Sequence, residues 1–230
     1  SNDGTLVVWQ DFDVLEKSSD GQIYDALIEL QNKTSDYLSL IYHRFLDDKS
    51  IKIKINNHSL KPRDPFLEKN KKTTQKKEVS ISNRDSLNIE RQLKVKAFVL
   101  PFAADMTAED MKNAGGAENF RSLQGFYIYR NKRLIIWGTW FGMRLGELTK
   151  NARIRVDIPN SLDDIWGIDI TKRTATIPKN ILNQLRKTVK DAMDIATRKQ
   201  THRGRKENVD ANISYIWNRM QGRNNNFYYE

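Results

Sequence analysis

Lysines dominate the residues whose type and spacing could do chemistry. Lys172 ends the segment Ile168-Asp169-Ile170-Thr171-Lys172, in which residues 168, 170 and 172 share one face of an extended strand. An ammonium on a long stem, leaving a strand end from its apolar face, reaches a cleft or interface and suits a terminal phosphate. The same pattern describes an exposed lysine that snorkels. Two basic runs follow the same logic on a larger scale. Residues 61–77 hold Lys61, Arg63, Lys69, Lys71, Lys72, Lys76 and Lys77 against Asp64 and Glu68, and residues 198–206 hold Arg198, Lys199, Arg203, Arg205 and Lys206 with no acid. Such runs meet a phosphate backbone through salt-sensitive, sequence-neutral attraction. They equally describe a solvated loop and a solvated helix end, where cations suit the helix dipole. Aromatic residues are not interleaved with either run, which argues against a single-strand stacking platform.

Other chemistries are excluded or poorly supported. There is no Gly-rich phosphate loop ending in Lys-Ser/Thr, so a P-loop is absent. Glu29 and Asn32 stand three apart, where a helix that activates water with Glu and holds magnesium with Asn needs four, and Asp20-Gly21 lacks a second glycine; an ordinary helix is expected there. Asp163-Asp164 and Asp11/Asp13 are paired carboxylates with no nucleophile, sugar site or metal partner nearby, and Asp163-Asp164 reads as a helix start or turn. The three histidines (His43, His58, His202) are scattered, and there is no cysteine. That removes disulfide scaffolds, thiolate zinc sites and Cys nucleophiles, and leaves no basis for a His-based metal site. The absence of disulfides fits a reducing, cytoplasmic setting.

These side chains need elements to hold them. The 230 residues carry 39 Lys+Arg against 29 Asp+Glu, a net charge of +10, with 38% apolar residues. No apolar run approaches the roughly 18 residues of a membrane span, so no membrane partner is expected. Thr5–Trp9 reads as a short buried strand. Helical spacing covers Ile23–Leu30 and again Tyr37–Leu46, with Thr34 or Ser35 placed to cap the second stretch. Ile51–Ile55 alternates as a half-exposed strand, and 61–77 reads as a loop because Pro62 and Pro65 oppose a helix. Val79/Ile81, Leu93–Val99, Phe126–Tyr129, Leu134–Trp137 and Ile154–Ile158 read as strands, with Asn131 turning a two-residue hairpin. Asp105–Gly116 reads as a loop with one helical turn. Pro178 opens the cleanest amphipathic stripe, Ile181 to Ala196. Tyr215–Glu230 reads as the lead-in to a strand, and the natural protein is expected to continue beyond it.

Gln124-Gly-Phe-Tyr-Ile-Tyr-Arg-Asn-Lys-Arg-Leu-Ile135, Ala152-Arg-Ile-Arg-Val-Asp-Ile-Pro-Asn160 and Trp166-Gly-Ile-Asp-Ile-Thr-Lys172 together resemble the middle region of GHKL-type ATPases. These are relatives of the ninety-kilodalton heat-shock chaperone, MutL, gyrase B and, above all, MORC-like bacterial proteins. Thr5–Trp9 resembles the last strand of their ATP-binding domain, and Leu40–Phe45 with Ile53–Asn57 is similar to the connection that follows. The resemblance implies an α+β transducer domain: a mixed β-sheet packed by helices, with a left-handed β-α-β crossover. It implies that residues 1–47 are the end of the ATP-binding domain and a helical connector, 48–206 the transducer, and 207–230 the start of a truncated C-terminal region. It also implies that Lys172 is the residue that reaches the γ-phosphate of ATP held by the neighbouring domain. The Glu…Asn helix, the Asp-x-Gly-x-Gly turn and the Gly-rich lid are missing here, so ATP and Mg2+ are expected only through that other domain.

The expected function is a transducer that couples ATP hydrolysis to conformational change without being catalytic alone. Its expected partners are the ATP-binding domain in cis, a second copy in a homodimer, and DNA. Two alternatives stay open. One is a nucleic-acid-binding module of a repair, restriction or defence protein, using Lys69, Lys71, Lys72, Lys76, Lys77, Arg198, Lys199, Arg203, Arg205 and Lys206. The other is a chaperone-like domain that binds apolar clients through an exposed patch.

Overall fold

The structure, a computed structural model, describes residues 4–8, 23–85, 87–143, 146–162 and 177–221, the stretch 202–221 by its backbone alone. Lys172 and the segment 168–172 lie outside the described residues, as do Asp11, Asp13, Asp20-Gly21, Asp163-Asp164 and 222–230. The chain divides into two compact units, Ser1–Arg63 and Asp64–Glu230.

In the first unit the two helical stretches are one helix, α1 (Ile23–Ile41), followed by a single short turn of helix, α2 (His43–Asp47). Ser35 does not start a helix. Its hydroxyl donates to the Gln31 carbonyl at 2.8 Å, one turn back, which lets a serine sit inside a helix. Glu29 pairs with Lys33 on the exposed side of α1, as an ordinary helix would have it. Tyr24, Leu27, Ile28 and Leu30 are exposed. The alternation at 51–55 is real in burial, but its ladder is short: β1 (Lys54–Ile55) pairs with β2 (His58–Ser59). Asn56 and Asn57 make the turn with φ of +47° and +65°, the left-handed pair a two-residue hairpin needs. Thr5–Val8 joins no ladder among the described residues, and Leu6, Val7 and Val8 are exposed, so the buried strand read there is not formed within them.

The second unit is a mixed sheet. β3 (Thr74–Gln75) and β4 (Val79–Arg84) both pair antiparallel along one edge of β5 (Glu90–Val99). On its other edge β5 pairs antiparallel with β8 (Ala152–Ile158), β8 runs parallel to β6 (Gly125–Arg130), and β7 (Arg133–Thr139) closes the far edge as a hairpin partner of β6. Asn131 and Lys132 turn that hairpin with φ of +47° and +66°, as the sequence indicated. Gly125 has φ +103°, and a Cβ there would stand 2.5 Å from the Thr139 carbonyl oxygen. Only glycine lets the end of β7 approach so closely.

The Asp105–Gly116 region holds α3 (Ala108–Asn113). Thr107 caps it: its hydroxyl accepts from the Asp110 amide while the Asp110 carboxylate accepts from the Thr107 amide. The stripe begun at Pro178 becomes α4 (Lys179–Gln221), 43 residues without a break at 206–207. Tyr215–Gln221, read as leading into a strand, is therefore helical. Among the described residues no helix links two parallel strands; the parallel pair β6 and β8 is joined by way of β7. The left-handed crossover is thus not among the described elements.

The core sits between one face of this sheet and α4. Leu93, Val95, Ala97 and Val99 of β5 and Ile154, Val156 and Ile158 of β8 meet Ile181, Leu185, Val189, Ala192 and Ala196 of α4. The opposite face is covered by residues 64–73, which form no strand or helix and lie over the sheet like a strap. The α+β class and the mixed sheet packed by a helix agree with the sequence reading.

Candidate functional site

The strap is fastened by side chains. Asp64 accepts the amides of Phe66 at 2.9 Å and Glu68 at 2.6 Å, closing a turn. Burial pushes its carboxyl above the usual carboxylate range, with those amides pulling the other way. Phe66 packs among Phe98, Tyr127 and Tyr129. Glu68 accepts from both Lys96 and Arg155. Asn70 donates to Asp110 in the cap of α3 at 3.1 Å and accepts the Lys72 amide at 2.8 Å.

So fixed, the strap turns its cations outward. Lys69, Lys71, Lys72 and Lys77 are exposed, and Lys76 is half-buried with its amide on the Ala97 carbonyl at 2.9 Å. The Lys72 ammonium lies 2.8 Å from the Asp105 carboxylate. Across from it, the Lys199 ammonium of α4 reaches the Thr74 hydroxyl at 3.5 Å. Burial holds Lys199 below its ordinary basicity, and the charge of Asp105 opposes that shift. The fold therefore brings Lys199 of the second basic run against Thr74 inside the first, more than a hundred residues away in sequence. Arg198 is exposed one turn beyond Asp194, whose carbonyl its side chain approaches at 3.4 Å. Arg203, Arg205 and Lys206 continue α4, and their side chains are outside the described residues.

Beside this meeting point lies a cleft of about 550 Å³, lined by Phe102, Met111, Phe120, Arg121, Lys150 and Gln200 among others. Its polar wall is tied together. Glu147 pairs with both Arg121 and Lys150. Asn151 donates to the carbonyls of Leu100 and Pro101 at 3.1 and 2.6 Å and accepts from Gln200 of α4.

Comparison with family models, curated proteins and solved structures finds no match for this chain.

Sequence reasoning found the basic residues and missed their partners. Asp105 and the cleft residues come from segments with no motif. Arg153 and Arg155 carried a signal that could have been used: they alternate with Ile154 and Val156, so a strand must put both guanidinium groups on the face away from α4. What spacing does not reveal is that this face is covered. Arg153 is fully buried, with a guanidinium nitrogen 2.9 Å from the Ala114 carbonyl, another donating to the Tyr127 hydroxyl, and the rings of Tyr127 and Phe120 at 5.5 and 5.6 Å. Among the described residues no group of three His, Cys, Asp or Glu is placed to hold a metal ion. No helix among them is long and apolar enough to cross a membrane.

Proposed function

We propose that this chain is the transducer region of a GHKL-type ATPase, coupling ATP hydrolysis in a neighbouring domain to movement of the rest of the protein. One observation carries the reading. The stretches 124–135 and 152–160, which hold most of the resemblance, become β6 with its hairpin and β8, neighbouring parallel strands in the middle of a mixed sheet. That sheet is backed by α4, which is seated from Ile181 to Ala196 and then runs on to Gln221. At 1.5 Å per residue the helix is about 65 Å long, enough to carry a small tilt of the sheet to a distant point.

The sequence has no Gly-rich phosphate loop ending in Lys-Ser/Thr, and ATP and Mg2+ belong to the other domain in this reading. Lys172 would contribute a positive charge to the terminal phosphate. In the full-length protein, Lys172→Ala is expected to lower ATP turnover about a hundredfold with an unchanged melting temperature. Unaltered turnover, or hydrolysis of ATP by the 230-residue chain alone, would overturn the reading.

A second reading, favoured by the contact of Lys199 with Thr74 inside the first basic run, is contact with a polyanion such as a nucleic-acid backbone. Affinity for oligonucleotides should fall steeply with salt, with a slope of about 0.7–0.9 per phosphate neutralised. A flat salt dependence would remove it.

A further inference from the structure

We propose that the cleft beside Asp105 receives an unpaired nucleobase of a nucleic-acid strand whose phosphates lie against Lys72 and Lys199. The proposal deepens the polyanion reading and rests on it. Its starting point is continuity. Gln200 lines the cleft and follows Lys199 in α4, while Ala103 lines the cleft and shares a single 3-10 turn with Asp105. Cleft and cations are therefore parts of one surface within one unit.

The cleft has the composition such a guest needs. Its volume of about 550 Å³ falls within the roughly 300–1,000 Å³ of small-molecule sites. Phe102 and Met111, both partly exposed, supply ring and thioether surface against which a base of any sequence can pack, over the buried ring of Phe120. Phe120 and Met111 belong to a small apolar cluster with Leu67, Leu100 and Ala114, so the floor is built and not a surface accident. At the rim, Arg121 and Lys150 share the single carboxylate of Glu147, which leaves one positive charge in excess. A phosphate flanking the inserted base would meet that charge. The polar wall is fixed in advance by the hydrogen bonds of Asn151 and Gln200. The aromatics missing from the basic runs in sequence are thus supplied by a different segment in space.

A base held in a duplex is stacked and paired and cannot enter such a recess. The proposal therefore demands preference for a single strand over a duplex, and for a strand with bases over the same backbone without them. Fluorescence anisotropy on the 230-residue chain tests it with a twelve-nucleotide oligothymidylate, the same oligomer carrying abasic sites, a twelve-base-pair duplex, an oligouridylate and an oligoglutamate. Oligothymidylate is expected to bind about tenfold more tightly than the abasic strand or the duplex. Comparing it with oligouridylate shows whether the guest strand is DNA or RNA. Ala103 and Ala117 line the cleft and are exposed, so Ala103→Leu with Ala117→Leu fills it without disturbing the core or the charge. That variant should keep its melting temperature and its salt slope and lose the tenfold preference. Equal, salt-sensitive binding of every nucleic acid, or of oligoglutamate as tightly as oligothymidylate, overturns the base cleft and leaves the polyanion reading standing. No binding of any oligonucleotide overturns both.

Discussion

One face of the central sheet is buried throughout and the other in large part, and the two are held by opposite chemistry. Under α4, aliphatic side chains from β5 and β8 interlock with a helix stripe that narrows to Ala192 and Ala196 at its far end. Under the strap, the same two strands present a lattice of rings and cations. Register makes the rows: Phe98 stands beside Arg153, and Lys96 beside Arg155, which in turn stands beside Tyr127 of β6. Lys96 lies 4.9 Å from the Phe98 ring, and Arg155 lies 5.5 and 5.9 Å from the rings of Phe98 and Phe66. Glu68, Glu78 and Asp157 surround Arg155 with carboxylates. One face is stabilised by removing hydrocarbon from water. The other satisfies buried charge with ring faces, carbonyls and shared carboxylates, a network in which each member depends on the rest.

This contrast can be broken at either face. Leu185→Ala, in the middle of the aliphatic contact, should cost about 2–5 kcal/mol in urea unfolding; a cost below about 1 kcal/mol would show that α4 is not the principal cover of that face. Arg153→Met keeps much of the volume and removes the donors to the Ala114 carbonyl and the Tyr127 hydroxyl. It should cost about 1–3 kcal/mol, and an unchanged stability would mean the cation serves only as bulk. Glu68→Gln keeps the shape of the strap and deletes the charge between Lys96 and Arg155. About 1 kcal/mol is expected at low salt, shrinking as salt is added; a loss independent of salt would point to packing instead.

Asp64 and Asp85 sharpen the comparison through pH. Asp85 lies in the turn between β4 and β5. Burial alone would raise its carboxyl, but the amides of Ile89 and Leu87 and the Arg91 side chain together outweigh burial and hold it below the usual range. Its stabilisation is present above the ordinary carboxylate value and is lost as pH falls through the depressed one. Asp64 runs the other way. Its raised carboxyl means that the folded chain holds more protons than the unfolded chain between 3.8 and the elevated value. Stability from this group therefore falls as pH rises through that window. Asp64→Asn should remove that downward component from urea midpoints measured between pH 4 and 7; an unaltered profile would show that Asp64 titrates normally. The smallest effect belongs to the exposed cations. Lys71→Ala should leave stability within about 0.5 kcal/mol, while lowering the salt slope of oligonucleotide binding by about one; a large stability loss would mean the strap's lysines hold the fold together.

The aliphatic face was legible in the sequence because both partners advertise a period: two for Leu93–Val99 and Ile154–Ile158, and near 3.6 for Ile181–Ala196. The Asn131 hairpin was legible because Asn tolerates the backbone the turn demands. The ring-and-cation face was not, because a cation alternating with an aliphatic residue looks the same whether solvent or a strap lies above it. The cleft was hidden for a related reason. Phe102, Phe120, Lys150 and Gln200 come from segments with no periodic relation, joined only by tertiary contact. Lys172 and Arg203, Arg205 and Lys206 keep their sequence-level readings as proposals, outside the described side chains.

The strap divides its positions between two tasks. Asp64, Phe66, Glu68 and Asn70 fasten it, with Lys72 paired to Asp105, and Lys69 and Lys71 are exposed. Holding and display are thereby uncoupled. Substitution at the displayed positions can reverse the sign of this surface while every anchor stays in place, so a lineage could change what it attracts without having to refold what it stands on.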